Sequence, residues 1–217
     1  MSAAGVPIYL GDASGARVIL ERLRAAGLRT AAHAAPDSFP GLGELDAVRV
    51  AAAEIGPARL ELAQHFAESS EGLPRFGDVD PQLTYRLRPS AYALLRDEAG
   101  RIAIARQPLG DFLVGGGIEG DESPPEAIER EGVEEVGLRL AATDFLGVAD
   151  EFLLSPKYGE PFQKRCVFYR AEVVGEGVAV EEDHELVWAE PAELLRSLYH
   201  LAHRWAVTLD EAQRRGA

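Results

Sequence analysis

The stretch that decides the fold runs from Gly115 to Leu138: Gly-Gly-Gly-Ile-Glu-Gly-Asp-Glu-Ser-Pro-Pro-Glu-Ala-Ile-Glu-Arg-Glu-Gly-Val-Glu-Glu-Val-Gly-Leu. It reads as a glycine loop feeding a helix loaded with carboxylates. Ser123 suits the N-cap, Pro124 the first helical position, and Glu126 completes a capping box. Gly137 then ends the helix, as a left-handed glycine does. Glu131, Glu134 and Glu135 fall at i, i+3 and i+4, so the three carboxylates share one face. Each like-charged pair at that spacing costs about 0.2–0.5 kcal/mol with nothing to compensate it. Acidic helix faces are commonly just solvated. A hard divalent cation would also offset the repulsion, because Mg²⁺ and Mn²⁺ prefer carboxylate, carbonyl and water oxygens.

The surrounding spacing favours the cation. It resembles the box of the Nudix hydrolase family (MutT-like): Gly, five residues, Glu, seven residues, then Arg-Glu-apolar-any-Glu-Glu-any-Gly-apolar. Gly116, Glu122, Arg130, Glu131, Val133, Glu134, Glu135, Val136, Gly137 and Leu138 fit that frame. Gly132 alone departs from it, standing where an apolar residue is usual. A glycine inside a helix costs on the order of 1 kcal/mol relative to alanine. The slot is expected to be loosely packed, so that Gly132→Ala stabilises the chain by roughly 0.4–1 kcal/mol.

The resemblance implies an α/β/α sandwich with a mixed sheet. It also implies metal-assisted cleavage of a phosphoanhydride in a nucleoside diphosphate linked to another moiety: a nucleoside triphosphate, a nucleotide sugar or a dinucleoside polyphosphate. The Gly115 carbonyl with Glu131, Glu134 and Glu135 would hold Mg²⁺, or Mn²⁺. Arg130 would orient Glu131, and Glu122 would brace the loop. Related enzymes bring one more carboxylate from a loop about six residues before a tryptophan; with Trp188 as that tryptophan, the position is Glu182.

Upstream of the box, Tyr85–Leu95 and Arg101–Arg106 flank Asp97-Glu98-Ala99-Gly100 and read as a β-hairpin. A short strand at Phe112–Val114 follows. Phe112 is placed to stack on a base or to serve as core, and Arg106 is a candidate substrate contact. Ser69–Pro81 carries the serines, glycines and prolines of a linker. Before it, strands near residues 6–10, 28–33 and 47–53 alternate with helices starting near Asp12 or Ser14 and near Pro57. This βαββα order resembles a small ferredoxin-like α+β module, with a proline- and glycine-rich loop at 36–43. The division expected is therefore an accessory domain over 1–75 and a catalytic domain over 83–217. No cluster before the linker suggests chemistry, so a chain starting near Val79 is expected to fold and keep the activity.

Downstream, strands are expected at Phe145–Val148, Lys164–Val174 and Leu186–Trp188, then one final helix from about Pro191. Pro156 and Tyr158 lie near the positions where relatives acting on ADP-ribose or dinucleoside polyphosphates carry a proline or a tyrosine. They match neither spacing, and Tyr158 is kept as a candidate substrate contact without naming a substrate. His200 and His203, three apart with no third ligand in view, read as packing or capping residues.

Composition bounds the rest. With 217 residues, 47% hydrophobic and 27% charged, the chain reads as an ordinary soluble protein of one large or two small domains. A net charge of −14 argues against nucleic acid polymers and acidic membranes as partners, while small phosphorylated molecules remain suitable. The single cysteine, Cys166, allows no intrachain disulfide and suits the cytoplasm. No signal peptide or membrane span is read, and a homodimer is left open. Two rival readings stand beside the hydrolase. Gly115, Gly117 and Gly120 also fit G-x-G-x-x-G, the mark of an NAD-binding Rossmann module, but Asp-Glu-Ser-Pro-Pro after the third glycine delays the helix and sets acid where pyrophosphate should sit. The other rival is a non-catalytic Nudix-fold nucleotide sensor, which would be expected to have lost box carboxylates.

Overall fold

The computed structural model describes residues 5–34, 42, 44–156 and 158–216. It opens with β1 (Val6–Gly11), α1 (Ala13–Ala25), β2 (Thr30–Ala34), β3 (Asp46–Val50) and α2 (Ile55–Glu68), the βαββα order expected. Asp12, not Ser14, caps α1: its carboxylate accepts from the Gly15 amide at 2.7 Å. The strands form an antiparallel sheet in the order β1-β3-β2. Ile19 and Leu23 of α1 and Leu62 and Phe66 of α2 pack with Ile8, Val48 and Val50 of that sheet. Two helices on an antiparallel sheet match the ferredoxin-like expectation, here with three strands. Of the loop at 36–43, only Leu42 lies within the described residues.

The presumed linker contains a strand, β4 (Arg75–Phe76). The prolines and glycines around it mark its turns. After it come β5 (Arg86–Leu95), β6 (Ile102–Gln107), β7 (Gly110–Gly117), α3 (Pro124–Val136), β8 (Leu138–Leu154), β9 (Pro161–Glu176) and β10 (Glu185–Ala189). These seven strands form one mixed sheet in the order β10-β6-β7-β5-β9-β8-β4, parallel at β5/β9 and β4/β8 and antiparallel elsewhere. The glycine strand β7 is antiparallel to both its neighbours, β5 and β6. A dinucleotide-binding unit needs a parallel βαβ crossover at that point, so the Rossmann reading fails on topology.

The single final helix expected is two: α4 (Pro191–Ser197) and α5 (Leu201–Gly216). The chain turns extended at Leu198, and the Tyr199 amide donates to the Asp111 carbonyl at 2.9 Å, tying the break to β7.

Strand β5 shows how the layers arise. Successive side chains point to opposite faces. Ala91, Ala93 and Leu95 pack with Ala127 and Ile128 of α3, while Tyr92 and Leu94 pack with Leu194 of α4 and Trp205 of α5. The result is the α/β/α sandwich. The small N-terminal sheet is built into it: Leu10 and Ala47 share the core of Trp205, and Val148 of β8 joins the core beneath α1 and α2. Trp205 Nε1 donates to the Leu10 carbonyl at 2.8 Å. Among the described residues, no helix is long and apolar enough to cross a membrane.

Candidate active site

Strand β7 runs directly into the glycine loop. Gly115 has φ +135°, and a Cβ there would collide with the Ala91 carbonyl of β5, so only glycine serves. Its amide donates to Glu135 Oε2 at 2.9 Å, joining the loop to the far end of α3. The helix begins as its cap predicts: the amide and hydroxyl of Ser123 both donate to the Glu126 carboxylate at 2.7 Å. It ends at Gly137, with φ +67°.

Arg130 organises the carboxylates. Nη1 donates to Glu131 at 2.9 Å and Glu134 at 3.0 Å, while Nη2 donates to Glu122 at 2.7 Å and to the Gly117 carbonyl at 2.8 Å. The Glu122 hydrogen bond is the largest of the effects that hold Arg130 in its charged form. The Glu131–Glu134 repulsion read from the sequence as uncompensated is thus offset by the protein's own guanidinium, whose planar fork suits several carboxylates at once. Glu122 also accepts from the Glu119 amide at 2.7 Å, bracing the loop.

Glu135 lies beyond this clamp. It is 5% exposed, and burial, with the charges of Glu131 and Glu181 added, pushes its carboxyl up to about 8. Burial also raises Glu131, against the pull of Arg130. The Glu134 carbonyl accepts from the amides of Val180 and Glu181 at 3.0 and 3.1 Å and so grips the loop that follows β9. That grip turns Glu181, not the expected Glu182, toward Glu135; Glu182 is exposed. Ligand-type atoms of Glu135, Glu181 and His184 lie within 4.8 Å of one another. A buried, repelled carboxylate beside a second carboxylate and an imidazole suits a divalent cation, which would favour the ionised form that burial opposes.

These groups stand at one side of a cavity of about 610 Å³ that also takes in Glu131 and the backbone of Gly115–Gly117. Phe112 and Tyr158 line it, and Phe112 lies at an oblique angle to Tyr199. Arg106 does not line it. Its guanidinium donates to Asp111, its cross-strand partner on β7, at 2.8 Å, while the next residue, Gln107, faces the cavity and reaches Glu135 at 3.4 Å. Period-two alternation separates these two neighbours.

Sequence reasoning missed several cavity residues. Arg88 lies over the rings of Tyr158 and Phe162, 5.1 and 5.4 Å from their centroids. Lys164 of β9 donates to the Tyr92 hydroxyl at 2.7 Å and lies 3.0 Å from His200 Nε2, whose Nδ1 faces Glu151 at 3.1 Å. The two histidines part company here: His200 borders the cavity, whereas buried His203 accepts the Leu113 amide at 3.2 Å. Only the alternation of β5 and β9 hinted at Arg88 and Lys164, and nothing in the spacing singled out Glu181 over Glu182.

A comparison with curated proteins returns no match. Solved structures that resemble the chain include a MutT protein from Methanosarcina mazei Go1 (23% identity, 61% of this chain and 97% of that one, TM-score 0.49). They also include a MutT NUDIX hydrolase from Burkholderia pseudomallei (29% identity, 57% and 98%, TM-score 0.45). A third is an ADP-ribose pyrophosphatase from Streptococcus suis 89-1591 (18% identity, 59% and 90%, TM-score 0.44). The profile of the NUDIX domain matches residues 86–209, more than half of the chain and all of the glycine loop, α3 and the cavity floor, and the chain therefore belongs to the NUDIX domain family.

Proposed function

We propose that the protein hydrolyses a phosphoanhydride bond in a nucleoside diphosphate linked to another moiety, with Mg²⁺ or Mn²⁺ bound by Glu131, Glu134, Glu135, the Gly115 carbonyl and Glu181 in place of Glu182. The observation that carries this reading is Glu135, buried, repelled by its neighbours and set against Glu181 and His184 at the edge of a cavity of nucleotide size. When bound, the metal neutralises phosphate charge and makes an attacking water more acidic. The chain's own part is positional. Arg130 fixes Glu131 and Glu134, Gly115 fixes Glu135, and Phe112 and Tyr158 offer aromatic surface to a base or leaving group. Every box carboxylate is present, which speaks for turnover over sensing.

A panel of nucleoside triphosphates, nucleotide sugars and dinucleoside polyphosphates, assayed with Mg²⁺, with Mn²⁺ and with EDTA, tests the proposal. Metal-dependent release of a nucleotide product from at least one class is expected. Tight nucleotide binding without turnover under any condition would favour the sensor.

A further inference from the structure

The cavity that takes in the metal-suited carboxylates also holds a cation. Of the chain's two lysines, Lys157 and Lys164, the second sits in the cavity wall on β9. An ammonium carries three donors. Two are engaged by neutral acceptors, the Tyr92 hydroxyl at 2.7 Å and His200 Nε2 at 3.0 Å, and the third has no acceptor among the described residues. Among the described residues Lys164 makes no direct salt bridge; Glu151 and Glu135 interact with its charge from a distance.

The support behind it is continuous. Burial and the nearby Lys164 charge hold His200 below its ordinary value, so the ring is neutral and receives the lysine at Nε2. Its Nδ1–H then points to Glu151 Oε1, whose other oxygen accepts the Ala202 amide at 2.9 Å at the start of α5. The Glu151 charge is thus set behind the imidazole, while Glu135, which lines the cavity, also interacts with the Lys164 charge. Such an arrangement keeps a positive charge fixed, dehydrated and open on one side, which is what an anion-binding group requires.

We propose that Lys164 is a metal-independent anion subsite of this cavity, its ammonium taking a phosphoryl oxygen of the substrate directly while Tyr92 and His200 hold it in position. The inference rests on the hydrolase reading for the identity of the substrate, but the subsite itself needs neither metal nor turnover.

With two lysines in the chain, ¹⁵N-lysine labelling of the full-length protein yields at most two ammonium resonances, and Lys157→Arg assigns them. Inorganic pyrophosphate titrated in EDTA is expected to shift the Lys164 resonance to saturation and leave the other in place. By calorimetry in EDTA, Lys164→Gln should bind pyrophosphate at least tenfold more weakly while keeping the wild-type circular dichroism spectrum. A Lys164 resonance that stays fixed while pyrophosphate binds, or no binding of pyrophosphate in EDTA, would overturn the subsite. A shifting resonance in a protein that turns over no phosphoanhydride would keep the subsite and sink the hydrolase reading; turnover with a fixed resonance would do the reverse.

Discussion

Gly132 lies in mid-α3, and a Cβ added there would come within 2.8 Å of the Leu138 carbonyl and of the Leu140 side chain. The expected loose slot does not exist. The helix packs directly on the start of β8, and glycine is what lets it approach. Gly132→Ala should therefore destabilise the protein by about 1–3 kcal/mol in urea melts, the cost of overpacking; a gain would show that β8 can withdraw. The departure from the family frame was legible in the sequence, but its sign was not, because the partner is 6–8 residues away on a strand read as starting at Phe145. Glu135 gives a second residue-scale expectation. Its folded value, about 8, lies above the ordinary 4.5. Between those values the folded metal-free protein binds the proton that the unfolded chain has lost, so this group's stabilisation is present below about 4.5 and falls as pH rises to about 8. The slope is at most about 1.4 kcal/mol per pH unit. Metal binding at pH 7 should accordingly release about one proton, read by calorimetry in buffers of different ionisation enthalpy, and Glu135→Gln should abolish both the release and this part of the slope.

At the scale of elements, α3 was almost fully legible. Its cap, its glycine stop and the face shared by its carboxylates all follow from local rules. What local rules could not supply is Arg130 as the hub of Glu122, Glu131, Glu134 and the Gly117 carbonyl, since the glycine loop must fold back before those distances exist. Arg130→Lys keeps the charge but loses the fork. It should lower kcat/KM at least tenfold, about 1.4 kcal/mol of barrier, with an unchanged circular dichroism spectrum. Wild-type kinetics in that variant would reduce Arg130 to a simple counter-charge. Glu181, rather than the expected Glu182, lies beside Glu135 because the register of its loop is set by the Glu134 carbonyl, a long-range contact. The break between α4 and α5 was missed for a similar reason: its cause is the contact between Tyr199 and Asp111, not a helix-breaking residue.

At the scale of the whole molecule, the N-terminal module supports the site from outside it. Among the described residues, none lining the cavity precedes Arg86. Independence is another matter, because β4 pairs with the edge of β8 and Trp205 is buried against Leu10. A chain beginning at Val79 would bare that strand edge and that indole. It is expected to lose its cooperative thermal transition, contrary to the expectation from the linker composition; a sharp melt from the truncated chain would restore two independent units. The buried Asp210 of α5, held by Arg96 at 2.7 Å and Arg170 at 2.6 Å, fastens the same helix to the large sheet. The sandwich, its metal-suited face and its cavity converge on Glu135, and the most direct measurement is steady-state hydrolysis by Glu135→Gln beside wild type, on whichever nucleotide the wild type cleaves with Mg²⁺. The account predicts a protein that folds as wild type and turns over at least a hundredfold more slowly, about 2.7 kcal/mol of barrier; a folded variant keeping more than a tenth of wild-type turnover would contradict it.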